Sequence, residues 1–288
     1  MSTLDVAGAQ LYYETHGAGP LILLIPGANG DATVFELLAE RLSTHYMVVI
    51  YDRRGFSRSR LDGPQDYSRR LQTDAADARD LIELVGGGKA ANVFGTSSGA
   101  VVALRLLLDH PHLIDTVVPF EPCAMRLQPD GQRWIDFFHH VYDLYRSQGV
   151  DPALTRFRES TFPPVDHAAM QRARSSGAPH LLANAIYWFE HELRQYTSVD
   201  FDAGALQRWA ERIIPAFARE CRGYPNYSVS QRLSHLLRRD ALELPGGHVG
   251  FVTDCDAFAG ALLARLRQEN SMRLEQGPAQ GNWQLDAE

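Results

Sequence analysis

Residues 91–109, ANVFGTSSGAVVALRLLLD, pass from a short apolar run to a helical period across only five residues, Gly95-Thr96-Ser97-Ser98-Gly99. No other stretch constrains the fold as much. A strand that ends where a helix begins must turn in so little space that a Cβ on either flank would collide with neighbouring backbone, and Gly95 and Gly99 remove that obstacle. A G-x-S-x-G turn in this setting lifts its central hydroxyl, Ser97, clear of the sheet. The backbone N–H of Ser98 then lies at the start of the helix, directed at any oxygen held over Ser97. One serine is placed to attack a carbonyl, and the next to stabilise charge on it.

A strand feeding directly into a helix is half of a β-α-β unit, and the rest of the chain alternates in the same way. AQLYYETH (9–16), LILLIP (21–26), MVVIYD (47–52), ANVFGT (91–96), DTVVPF (115–120), IIPAFA (213–218) and ALELP (241–245) read as strands. Between them, DATVFELLAERLS carries a helical period behind Asp31 as N-cap, and helices are predicted over Thr73–Leu84 and Ser98–Leu108. The expected fold class is α/β, a mainly parallel central sheet with helices on both faces. From 124 to 202 the alternation gives way to helical, aromatic-rich sequence, which reads as an inserted cap on a core made of 1–123 and 203–269. Residues 270–288 show little periodicity and are expected to form a tail.

Composition narrows the function by exclusion. A formal charge of -7 and the lack of any Lys/Arg run give no field for collecting phosphates, so nucleic acid is not an expected partner. Cys123, Cys221 and Cys255 are odd in number, far apart and without C-x-x-C spacing, which suits free thiols in a reducing compartment. No metal and no cofactor is expected. No stretch approaches the ~20 apolar residues of a membrane helix, and the first ten residues have neither a basic nor an apolar leader region, so no membrane association and a cytoplasmic location are expected. The oligomeric state stays open, a homodimer included.

Four stretches together resemble the α/β-hydrolase superfamily over residues 9–268. The first is the Ser97 turn. LLIPGANGD (23–31) is similar to the family's loop after the third strand, which implies Ala28 as the second N–H donor of an oxyanion hole beside Ser98. YDRRGFSRS (51–59) resembles the D-x-R-G-x-G-x-S segment, with Phe56 in place of a glycine. ELPGGHVGFVTDCDAFA (243–259) resembles the last strand, histidine loop and final helix, which implies His248 as the general base.

The acid departs from the pattern. Where the family commonly has an aspartate after its seventh strand, this chain has Cys221, and a thiol cannot supply the fixed charge that orients an imidazolium. Glu220 is one replacement. Glu121, directly after DTVVPF in FEPCAMRL, is favoured over it, because zearalenone-type lactonases use a glutamate after the sixth strand and because Ser97, Glu121, His248 keeps the family's chain order.

The resemblance implies a serine hydrolase that opens a carboxylic ester or lactone through an acyl-enzyme on Ser97. Trp134, Phe138, Tyr187 and above all Trp188 are expected to contact a bulky apolar small-molecule substrate. Two alternatives stand beside it: non-hydrolytic chemistry on a natural product with His248 as base, and a hydrolase-like ligand receptor.

Overall fold

The structure is a computed structural model that describes residues 2–276. Its strands are β1 (Ser2–Val6), β2 (Ala9–His16), β3 (Leu21–Ile25), β4 (Met47–Tyr51), β5 (Arg60–Leu61), β6 (Ala91–Thr96), β7 (Ile114–Phe120), β8 (Ala216–Ala218) and β9 (Leu242–Leu244). They form one sheet in the order β1-β2-β4-β3-β6-β7-β8-β9, with β5 beside β2. The β1, β2 and β5 pairings are antiparallel and every pairing from β4 to β9 is parallel.

The helices are α1 (Glu36–Leu42), α2 (Arg70–Gly86), α3 (Ser98–Asp109), α4 (Gly131–Gln148), α5 (Val150–Thr161), α6 (Pro164–Ser175), α7 (Leu181–His191), α8 (Leu193–Thr197), α9 (Ala203–Arg208), α10 (Pro225–Leu237), α11 (Gly250–Thr253) and α12 (Cys255–Gln276). Strand β3 shows why both sheet faces are covered. All five of its side chains are buried, with Leu21, Leu23 and Ile25 facing α2 and α3 and Ile22 and Leu24 facing α1 and α12. A strand apolar on both faces has no solvent side, so it demands helices above and below.

The outcome differs from the sequence expectation at the edges. DATVFELLAERLS begins as a 3-10 turn, Ala32–Phe35, capped by Asp31, before α1. The first seven residues of the expected tail, 270–276, continue α12, and 277–288 lie outside the described residues. Strand β1 went unread because it is short and mostly exposed, with little apolar pattern to mark it.

Between β7 and β8 the chain leaves the sheet for the inserted helical region, α4–α8, and a buried ion network pins part of it down. Arg53, from the core, holds Glu192 at 3.0 and 2.8 Å and also donates to Asp74. Asp74 in turn accepts from Tyr196 at 2.5 Å and lies 3.4 Å from Arg70. Burial alone would push the Asp74 carboxyl up, but the Arg53 and Arg70 guanidiniums outweigh it and hold the group below its usual range. Asn184 adds a neutral tie, donating to Asn29 O and Ser57 Oγ at 3.0 and 2.8 Å.

Candidate active site

The turn between β6 and α3 is as tight as its sequence requires. A Cβ on Gly95 would lie 2.3 Å from Gly99 O, and one on Gly99 would lie 2.2 Å from Ile25 O, so neither position admits a side chain. Ser97 sits between them at φ 55°, ψ -119°, a conformation that costs an L-residue about 1–3 kcal/mol. Its N–H donates to Phe120 O at 2.9 Å, which ties the turn to the end of β7.

One residue further, Glu121 also has positive φ, 48°, and its side chain is wholly buried. Its Oε1 accepts from Ala218 N at 3.0 Å, and its Oε2 lies 2.5 Å from His248 Nδ1. A carboxylate on Nδ1 assigns the ring proton there and leaves the Nε2 lone pair free. Phe162 stacks on the same ring at 4.3 Å and covers it from the cap side.

Cys221 is buried near the Glu121 carboxylate. Burial, then the neighbouring Glu121 and Asp166 charges, push the thiol far up, so it stays protonated. Glu220, by contrast, is exposed on the turn after β8. Of the two candidate acids, only Glu121 is in contact with His248 among the described residues.

The loop carrying His248 is held from above by a residue that sequence reasoning missed. Asp166, on α6, is fully buried and accepts His248 N at 2.8 Å and Val249 N at 3.1 Å, one on each oxygen. A Cβ on Gly247 would lie 2.3 Å from Asp166 Oδ1, so a glycine there is what lets the carboxylate approach. Burial raises the Asp166 carboxyl despite the opposing effects of His248 and the two amides. No local pattern could have shown this, since the contact spans 82 residues.

Ser97 borders two cavities. The larger, about 680 Å³, lies beneath α5, α6 and α7 and is lined by Ser97, His248, Leu154, Met170, Trp188 and Phe251 among others. The smaller, about 20 Å³, is walled by Ser98, Cys123, Phe138, Leu193, Tyr196 and Asn226. Ala28, Ser97, Phe157, Phe162 and Trp188 border both. Ala28 and Ser98, the two expected oxyanion donors, therefore meet at the Ser97 side of the small cavity. The backbone is close there: a Cβ on Gly27 would come within 3.1 Å of Ser97 Cβ.

Comparison with known proteins sets this geometry in a family. Residues 20–159 match the model of the alpha/beta hydrolase fold. An uncharacterized hydrolase, YraK, of Bacillus subtilis is 32% identical over 273 residues, which span 93% of this chain and 96% of that one. The chain belongs to the α/β-hydrolase fold family. The hydrolase is also 30% identical to zearalenone hydrolase of Bionectria ochroleuca, over 112 residues that cover 37% of this chain and 41% of the relative. Its backbone resembles that of a thermophilic esterase from Thermogutta terrifontis with a TM-score of 0.75 at 14% identity, covering 93% and 99% of the two chains.

Two of the hydrolase's four expected substrate-contacting aromatics lie elsewhere. Tyr187 packs edge-on against Phe56 at 5.0 Å and accepts a hydrogen bond from Arg70, and Trp134 packs against Phe137 at 5.5 Å; neither borders either cavity. Trp188 and Phe138 do. Among the described residues, no cluster of His, Cys, Asp or Glu is arranged to hold a metal, and no helix is long and apolar enough to cross a membrane.

Proposed function

We propose that the hydrolase cleaves a carboxylic ester or lactone of a bulky apolar small molecule through an acyl-enzyme on Ser97, with His248 as base and Glu121 as the acid that orients it. The observation that carries this is the buried Glu121 Oε2 at 2.5 Å from His248 Nδ1, on a ring that shares a cavity with Ser97. His248 Nε2 takes the Ser97 proton as Oγ bonds to the carbonyl carbon, and the developing oxyanion meets the N–H groups of Ala28 and Ser98. Collapse breaks the bond to the leaving oxygen, which receives the proton from Nε2. Water, deprotonated by the same nitrogen, then releases the acid and restores the hydroxyl. Glu121 stabilises the imidazolium in both halves without itself taking the proton. A cavity of about 680 Å³ lies within the usual range for small-molecule sites and is large enough for an apolar group well beyond acetate.

The test is a set of three variants with a fluorophosphonate probe. Ser97→Ala should lose both labelling and turnover. Glu121→Gln, which keeps size and removes charge, should lower kcat by about two to four orders of magnitude, while Glu220→Gln leaves it near wild type. A severe loss for Glu220→Gln with normal turnover for Glu121→Gln would overturn the assignment of the acid.

A further inference from the structure

We infer that Arg158, on the α5 wall of the large cavity, binds a carboxylate that the substrate carries at a distance from its ester or lactone group, so that the preferred molecule is an apolar body bearing one acid. The inference rests on the acyl-enzyme reading above and deepens it by naming a charged group that the cavity selects.

Charge balance singles this residue out. Four ionisable side chains border the large cavity: Asp151, Arg158, Arg174 and His248. His248 is met by Glu121, and Arg174 by Asp151, whose Oδ1 accepts from Nη2 at 2.5 Å and from Nε at 3.1 Å. Arg158 has no acidic partner among the described residues; its Nη1 donates to the neutral side-chain amide of Gln171 at 2.7 Å. A guanidinium stays charged at any pH the fold survives, so one positive charge on this wall goes unmatched. The overall charge of -7 gives no general field that gathers anions, and any preference for them therefore comes from this local cation.

Donor geometry then names the ligand. Nε–H and Nη2–H form an edge of the guanidinium whose spacing matches the two oxygens of a carboxylate. Elsewhere in this chain Arg54 on Asp77, Arg58 on Asp52 and Arg105 on Asp109 each bond both oxygens through that edge. On Arg158 the same edge has no protein acceptor: Nε is buried without a hydrogen bond, and Gln171 engages only Nη1. A buried N–H without an acceptor is costly, and a carboxylate that reaches it recovers that cost. Position supports the pairing. Asp151, Leu154, Arg158 and Phe162 follow one another at steps of three and four along the cavity side of α5, which puts Arg158 one turn from the ring that stacks on His248. A carboxylate on Arg158 and a carbonyl over Ser97 thus share one cavity.

Two ester series of graded chain length place an acid in either half of the molecule: 4-nitrophenyl half-esters of linear dicarboxylic acids, read by nitrophenolate, and acetyl esters of linear ω-hydroxy acids, read by acetate. Each is paired with the neutral methyl ester of its free acid. The expected result is a chain length, in at least one series, at which wild-type kcat/KM favours the carboxylate by about 10-fold, chiefly through KM. That preference should shrink as salt rises. Arg158→Gln should erase it while turnover of the neutral esters and fluorophosphonate labelling of Ser97 stay near wild type. Arg158→Lys, which keeps the charge and loses the two-donor edge, should retain part of it. Equal or reversed preference at every length in both series, or a preference that survives Arg158→Gln, overturns the inference. So does normal labelling of Ser97 with no turnover of any of these esters. Failure of labelling and of turnover together instead overturns the acyl-enzyme reading on which it stands.

Discussion

The two halves of the inserted helical region are attached to the sheet in opposite ways. Helices α7 and α8 are held by buried charge and amide: Glu192 on Arg53, Tyr196 on Asp74, Asn184 on Asn29 and Ser57. Helices α5 and α6 present charge to solvent, where Arg174 meets an exposed Asp151 at 2.5 Å and Arg158 meets Gln171 at 2.7 Å. Their single fully buried carboxylate, Asp166, grips the loop of His248. Leu193, Tyr196 and Thr197 of α8 wall the small cavity together with Phe157 and Thr161 of α5, and α5, α6 and α7 all line the large one. The buried charges thus tie α8 to the core beside the small cavity, and the α6 wall of the large cavity is tied directly to the loop of the histidine.

The sharpest way to break this contrast is Glu192→Gln. It leaves Arg53 and Arg70 to share Asp74 with one positive charge uncompensated in the interior, so stability should fall by about 3–5 kcal/mol in urea unfolding. A loss under about 1 kcal/mol would show that α7 and α8 are held by apolar packing instead.

Asp166→Asn is next. It should cost about 1–3 kcal/mol, because an amide offers one acceptor where the carboxylate offered two and turns a donor toward a buried N–H. The distinctive readout is the pH profile. Asp166 and Glu121 are the carboxylates facing His248, and both charges help keep the Cys221 thiol protonated. Removing one negative charge disfavours the imidazolium, so the acidic limb of kcat/KM should move to lower pH while kcat falls. In the wild type the sign for stability is opposite to that for activity. The carboxyl of Asp166 is raised above its ordinary 3.8 by burial, so the native state takes up this proton more readily than the unfolded chain. Its contribution to stability therefore grows as pH falls through the raised value toward 3.8, even as neutralisation weakens the grip on the two amides. An unchanged acidic limb in Asp166→Asn would reduce Asp166 to a fold-stabilising role.

Asp151→Asn should have the smallest effect, under about 1 kcal/mol, because its pair with Arg174 is screened by water. A change in KM for bulky esters without a change in Tm would confirm that this wall meets the substrate more than it holds the fold.

Much of this was legible before any coordinates. Ser97 and His248 lie in short stretches whose backbone shape dictates glycines, and such shapes leave local marks. Glu121 was legible because one expected partner is missing: with Cys221 at the usual acid position, a carboxylate for His248 has to come from another strand end. What stayed hidden acts across the chain or around a helix. Asp166 meets its amides only after the insertion folds back on the core. Tyr187 and Trp188 are adjacent, and a step of one residue turns a helix by about 100°, which sends the tryptophan to the cavities and the tyrosine to Phe56 and Arg70. Aromatic richness marked the region without telling which face looks inward.

The seat beneath His248 also bears on how such a site changes over generations. Thr96 pairs with Phe120, and Phe120 with Ala216, so the ends of β6, β7 and β8 lie side by side, and the Glu121 carboxylate reaches across to Ala218 N, with its charge felt at the buried Cys221 thiol. A lineage that moves its carboxylate from the end of one strand to the end of the next has two orders of steps. Gaining the second acid first puts two carboxyl groups in one dry space, where they cannot both ionise. Losing the first one first leaves the imidazole unsupported. With Glu121 in place, a neutral thiol at position 221 avoids the first condition, and aspartate there is disfavoured for as long as Glu121 keeps its place.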